Sequence, residues 1–316
     1  MSAYFIYHMP SFSYAGVGPE GIFERVVEQA LAAERAGFDQ VTVMDHFYQI
    51  RGVGAETEPM LEAYTLLGAL AARTSRVRLG ALVTGVTYRN PALLAKMVTT
   101  LDVISGGRAV LGIGAAWNED EHVGYGFGFP PVRERMDRLE EALQIVKALF
   151  TRGTAEDRPS FEGRYYRIER ALNLPRPLQA GGPPVLVGGI GERRTLRLVA
   201  RYADISNFTP RPVEVLRQRL QVLERHCEAE GRDPATILKT CLVPFSLVRD
   251  EGDAKALADQ LPAEVVRNLP LLTPDQALDF LGDLRQAGFD GFAFRNPNLP
   301  TAELIELAGG LKRQLG

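Results

Sequence analysis

Residues 183–204 read Pro183-Pro-Val-Leu-Val-Gly188-Gly-Ile-Gly191-Glu-Arg-Arg-Thr-Leu-Arg-Leu-Val-Ala-Arg-Tyr-Ala-Asp204. A short aliphatic run passes through three glycines into apolar residues at helical spacing, which reads as a strand, a tight turn and an amphipathic helix. The same alternation recurs from one end of the chain to the other, as βαβ units around a parallel sheet require. Strand candidates are Tyr4 to His8, Gln40 to Asp45, Val77 to Val83, Ala109 to Gly112, Val185 to Val187, Ala203 to Phe208, Ile237 to Val248 and Gly291 to Arg295. They number about eight, which is the count that closes a TIM barrel. The fold expected is therefore a single α/β domain over residues 1–316, a (β/α)8 barrel, with an insertion at 154–180. Within that insertion Ser160-Phe-Glu-Gly-Arg-Tyr-Tyr-Arg-Ile168 reads as a β-hairpin around Glu162-Gly163. A doubly wound open sheet is the alternative, but the first strand-turn lacks G-x-G-x-x-G spacing.

Helices are expected over Gly21 to Ala36, stopped by Gly37; over Glu62 to Arg73; and from Pro91, behind the capping residue Asn90. In a barrel, the loop after each strand faces the active-site end, and the following helix points its free N–H groups there. Gly188, Gly189 and Gly191 let backbone approach a phosphate with no Cβ between them; the plainer reading is a tight strand-to-helix turn. Glu192 falls in the first turn of the expected helix, where a carboxylate interacts well with the dipole or holds a ligand hydroxyl. Arg193 and Arg194 are either anion contacts or a solvated face.

Two further strand ends carry chemistry. Val41-Thr-Val-Met-Asp45-His46-Phe47 sets an Asp-His pair at the rim, and histidine titrates close enough to neutrality to serve as a general acid or base. In an extended strand Asp45 and His46 point to opposite sides, so a direct contact requires the strand to have ended. Arg78-Leu-Gly-Ala-Leu82-Val83-Thr84-Gly85 is apolar to its end and then small and polar, a flat back for an aromatic ring with hydroxyls at its margin. After the fourth strand, the sole tryptophan, Trp117, leads into Asn118-Glu-Asp-Glu-His122, which either lines the mouth of the site or is exposed. That cluster lacks metal-site spacing, no G-x-S-x-G elbow occurs, and no lysine falls at the C-terminal end of an expected strand. A net charge of -3, with acids and arginines interleaved, argues against a nucleic-acid surface, and no apolar run is long enough for a membrane span. Cys227 and Cys241 fit neither a disulfide framework nor a zinc site. The N-terminus lacks a secretory signal, so a cytoplasmic location is expected.

Taken in order, Met44-Asp-His-Phe47, Leu79-Gly-Ala-Leu-Val83, Arg89-Asn-Pro-Ala-Leu-Leu-Ala-Lys96, Leu101-Asp-Val-Ile-Ser-Gly-Gly-Arg108, Gly112-Ile-Gly-Ala-Ala-Trp-Asn-Glu119, Phe129-Pro-Pro-Val-Arg-Glu-Arg-Met136 and Val187-Gly-Gly-Ile-Gly-Glu192 resemble the luciferase-like monooxygenase superfamily. Within it they resemble the coenzyme F420-dependent oxidoreductases. The resemblance implies a barrel that holds F420, or alternatively FMN, without a covalent link. It puts a non-proline cis peptide at Leu82-Val83 behind the ring, with Leu82, Val83, Thr84 and Trp117 around the cofactor. The active-site histidine of the family falls on His46, beside Asp45, and its phosphate region on Gly188, Gly189 and Gly191. A homodimer and a small-molecule substrate are implied, and in the FMN case a partner flavin reductase; a non-catalytic flavin-binding barrel is the third reading. The family's sugar-phosphate dehydrogenases carry a catalytic acid where this chain has Ala115, which sets glucose 6-phosphate aside as the substrate.

Overall fold

The computed structural model describes residues 2–151, 158–260 and 269–316. In chain order the strands are β1 (Tyr4–Met9), β2 (Gln40–Val43), β3 (Arg78–Ala81), β4 (Thr84–Gly85), β5 (Leu111–Gly114), β6 (Phe161–Glu162), β7 (Arg167–Ile168), β8 (Val185–Gly188), β9 (Ile205–Phe208), β10 (Leu238–Leu242), β11 (Ser246–Leu247), β12 (Leu271–Leu272) and β13 (Gly291–Arg295). Parallel ladders run β3-β2-β1-β13-β10-β9-β8-β5-β4. β3 and β4 are two pieces of one strand, divided at Leu82-Val83, whose peptide bond is cis as the family resemblance implied. Leu79 donates to Arg108 O at 2.9 Å and accepts from Val110 at 2.8 Å, so the ring closes into an eight-position barrel.

Local chemistry fixes the elements that carry the rim. Asn90 caps the helix Pro91–Ser105 by accepting from Ala92 and Leu93 N–H, and Pro91 supplies a helical φ at its first position. Gly37 ends the helix Pro19–Ala36 at φ 88°. Gly112 is obligatory for another reason: a Cβ there would land on the carbonyl oxygen of Ala81 in the neighbouring strand. Between sheet and helices lies an aromatic layer, in which Phe5 packs against Phe38, Phe292 and Phe294 with centroids 4.9–6.0 Å apart. Inside the barrel, buried Val110, Leu186 and Ile205 share the space with polar groups that satisfy one another: Asn207 Nδ2 donates to Thr240 Oγ1 at 2.9 Å, and Thr240 Oγ1 to Ser206 O at 2.8 Å. Above this packed floor a cavity opens at the C-terminal strand ends.

Three expectations shift. The fourth barrel strand is Leu111–Gly114, two residues beyond the expected Ala109–Gly112, because Ala109 joins its neighbour only through a lone bridge to Leu79. The long strand expected over Ile237–Val248 breaks after Leu242, where Pro244 has no N–H to give the ladder, and β11 pairs with β12 instead. The hairpin in the insertion is antiparallel, with Glu162 opposite Arg167, so its turn occupies residues 163–166 rather than Glu162-Gly163. Glu141 fixes that turn by accepting from the N–H groups of Arg164, Tyr165 and Tyr166 at 2.7, 3.0 and 3.0 Å. Residues 154–157 of the expected insertion lie outside the described residues.

Candidate active site

A cavity of about 420 Å³ opens at the C-terminal ends of the barrel strands. Leu82, Val83, Thr84 and Gly85 line one wall of it. Behind that wall the neighbouring strands have lost their side chains: a Cβ at Gly114 would come within 2.9 Å of a Val83 methyl, and one at Gly188 within 3.0 and 3.1 Å of both. The sequence therefore leaves just enough room for Val83 to stand against two backbones and present a flat apolar surface. Thr84 is held by Tyr64, hydroxyl to hydroxyl at 2.7 Å.

β2 ends at Val43, so Asp45 and His46 sit in irregular backbone and both line the cavity. They do not orient one another. His46 Nδ1 lies 2.5 Å from Glu121 Oε1, whose side chain is fully buried. Glu121 also accepts from the Phe47 N–H at 2.8 Å and from the Tyr88 hydroxyl. Burial pushes the Glu121 carboxyl up, but the hydrogen bonds from His46, Tyr88 and Phe47 outweigh it and hold the group below the ordinary carboxylate range. An ionised Glu121 takes the Nδ1 proton as a hydrogen bond and leaves Nε2 as the basic nitrogen. Burial first, and then the Glu121 contact, raises the Tyr88 hydroxyl well above its usual range, so it stays a donor. Glu121 had been grouped with its neighbours as a mouth or surface acid; its pairing across 75 residues becomes visible only once the helix Glu119–Tyr125 folds back over the end of β2.

Asp45 belongs to a second network. Arg89 grips it with two nitrogens, at 2.7 and 3.1 Å, and reaches Glu62 at 2.6 Å with the second. The same guanidinium lies over the Tyr64 ring, 4.7 Å from its centroid. Burial raises the Asp45 carboxyl above its ordinary value even against the opposing guanidinium. Trp117 stands at the mouth, 58% exposed, edge-on to the His46 ring at 5.5 Å. Ala115 lines the cavity at the position where a side-chain acid was missing from the sequence.

The glycine turn differs in detail from expectation. Gly188 and Gly189 line the cavity, and Gly189 has a φ of 117°. Its N–H is already given to Asn207 O at 2.9 Å, so it is not a free anion donor. Among the described residues the N–H groups of Ile190, Gly191, Glu192 and Arg193 donate to nothing, and they form the open part of the turn. The helix begins only at Thr195. Glu192 therefore lies ahead of the helix rather than in its first turn; its carboxylate pairs with Arg219, and its carbonyl accepts from His226 Nε2 at 2.8 Å. Arg194 is likewise engaged elsewhere, with Asp137 at 2.5 Å.

The neighbouring part of the rim, at the ends of β1 and β13, carries two residues that the sequence marks only as strand. His8 and Arg295 end β1 and β13, stand opposite each other in the register, and line the cavity. His8 Nδ1 bonds Thr42 Oγ1 at 3.0 Å. Burial, and next the Arg295 charge, push the His8 imidazole down to about 3. The rule that barrel chemistry collects at strand C-termini would have picked out both residues.

A model of the luciferase-like monooxygenase family matches residues 4–310. The chain belongs to the luciferase-like monooxygenase family. Among curated relatives, an F420-dependent glucose-6-phosphate dehydrogenase of Kineococcus radiotolerans is 32% identical over 312 residues, 89% of each chain. An uncharacterized protein of Mycobacterium tuberculosis is 36% identical over 173 residues, 55% of this chain and 58% of its own. In architecture the chain is similar to an F420-dependent secondary alcohol dehydrogenase solved with an F420-acetone adduct, with a TM-score of 0.80, 21% identity and 98% of both chains covered. It is also similar to an EDTA monooxygenase from a Chelativorans species, with a TM-score of 0.82, 19% identity, and 100% of this chain and 94% of the other covered. These two likenesses establish the barrel fold. No described helix is long and apolar enough to cross a membrane.

Proposed function

We propose that this protein is an F420-dependent oxidoreductase acting on a small organic substrate other than glucose 6-phosphate. The carrying observation is the His46–Glu121 pair at 2.5 Å, set in a cavity whose wall is the apolar Leu82-Val83 segment. The residues present fit a tricyclic ring: Gly114 and Gly188 are cut back behind Val83, which leaves a flat surface, and the free N–H groups at 190–193 lie one turn away for an anionic tail. The F420-dependent name carried by a relative 32% identical across 89% of the chain favours the deazaflavin over FMN. F420, when bound, supplies the hydride chemistry.

The chain supplies the rest. Glu121 fixes the His46 ring and its tautomer, and Nε2 takes the proton of a substrate hydroxyl in oxidation or returns it to a carbonyl oxygen in reduction. The bidentate Asp45–Arg89 contact holds the loop that bears His46. Ala115 offers no acid at its place in the cavity lining, and this reading gives the proton transfer to His46. A screen of alcohols and ketones for F420-coupled turnover, run on wild type and His46→Ala, tests the reading. The variant is expected to bind F420 as before and to turn over at least ~10²-fold more slowly. Equal rates would remove His46 from the chemistry.

A further inference from the structure

Along the rim from His46, the ends of β1 and β13 hold a charge that has no counter-charge among the described residues. Asn296 locks the two strand ends together, accepting from the Ser11 N–H at 3.3 Å and donating to Ser11 O at 2.8 Å, so Arg295 leaves the rim at a fixed place. Its side chain lines the cavity. Among the described residues Arg295 makes no hydrogen bond or ion pair, and its buried Nε has no partner. Burial alone acts on the guanidinium, pushing it below the ordinary arginine range, and no carboxylate pulls it back. His8 beside it is kept neutral and contributes no charge. Arg89 on the other rim has two carboxylates for one guanidinium. A partly desolvated cation with none costs stability, and that cost is recovered only when something anionic arrives.

We propose that Arg295 binds the carboxylate of an anionic substrate, and that the substrates of this site are small hydroxy- or oxo-carboxylic acids whose reacting carbon lies towards His46. Among the described residues lining the cavity Arg295 is the only arginine or lysine, and it offers one full positive charge in a planar fork. That matches a monoanionic carboxylate held by two parallel hydrogen bonds, whereas a phosphate dianion calls for more charge. β1 lies between β13 and β2, so the rim bearing Arg295 stands two strand spacings, about 10 Å, from the strand that leads to His46. A few carbon atoms separate the carboxylate from the reacting carbon. This assignment rests on the reading of the cavity as an F420 and substrate site.

The test titrates F420-loaded protein by calorimetry with benzoate, with benzamide as its neutral match, and with inorganic phosphate, in wild type, Arg295→Gln and Arg295→Lys. Benzoate is expected to bind wild type at least 10-fold more tightly than benzamide. Arg295→Gln should erase that preference and Arg295→Lys keep part of it. F420 affinity should stay within threefold in Arg295→Gln, and that variant should melt no lower than wild type, since it loses an unpaired charge. Equal binding of benzoate and benzamide by wild type, or a preference that survives in Arg295→Gln, overturns the proposal. So does phosphate binding more tightly than benzoate, and so does a 10-fold loss of F420 affinity in Arg295→Gln, which would give Arg295 to the cofactor. If wild type binds no F420 but still prefers benzoate in an Arg295-dependent way, the cofactor reading alone fails; if it does neither, both fail.

Discussion

The two sides of the cavity treat charge in opposite ways. On the side of β2 and β4 every ionisable group is answered: Asp45 and Glu62 by Arg89, and Glu121 by His46, Tyr88 and the Phe47 N–H. On the side of β1 and β13, Arg295 lines the cavity with no partner among the described residues, beside a histidine that burial keeps neutral. Groups that must hold a fixed geometry before anything binds are saturated by the protein. A group left unsaturated is one whose partner comes from outside, and its cost in the free protein is what a ligand relieves. One barrel rim thus presents preset machinery on one side and an open valence on the other.

The most forceful way to break the comparison is Arg89→Met. If the saturated side is a mutually dependent network, removing its cation leaves Asp45 buried without a counter-charge and should cost about 3–5 kcal/mol in chemical denaturation; a loss below about 1 kcal/mol would mean the network carries little. Glu121→Gln probes the same side through chemistry. It keeps the volume but not the charge, and kcat should fall roughly 10- to 100-fold with the F420 dissociation constant changed by less than a factor of about three. A fall in F420 affinity to match would make Glu121 structural. The smallest effect per pH unit bears on the unsaturated side. His8 is held at about 3, whereas an unfolded chain binds the proton near 6.5, so between those values the unfolded state carries the extra proton. Stability should rise with pH through that window, by at most about 1.4 kcal/mol per unit, and be lost as pH falls through it. In His8→Asn, urea titrations across pH 4 to 6 should give a flatter slope, and an unchanged slope would show that His8 protonates freely in the fold.

Legibility in the sequence followed the range of the forces involved. Local features were readable: the Asn90 cap with Pro91, Gly37 at a helix end, and the position of most barrel strands, because each depends on neighbours a few residues away. His46, which lines the cavity, was legible as a candidate because it follows a strand end. What escaped was long-range. Glu121 sits in a run of acids that reads as surface, and nothing local marks it as the one that turns inward to meet a residue 75 positions earlier. Glu192 was misplaced because the glycine turn runs three residues further before the helix begins, which frees its side chain to meet Arg219. The occupied N–H of Gly189 likewise depends on how β8 meets β9, which the glycine spacing does not encode. Arg295 and His8 were both present in correctly placed strands, and only their neighbours across the ring give them meaning.

The Leu82-Val83 wall is where the cofactor ring would rest. The most direct measurement is a fluorescence titration of the purified protein with F420 and, separately, with FMN, repeated on Gly188→Val, whose side chain would collide with Val83. Saturable binding of F420, weaker binding of FMN, and loss of the F420 signal in the glycine variant are predicted. FMN binding without F420 binding, or F420 binding that ignores Gly188→Val, would contradict that placement.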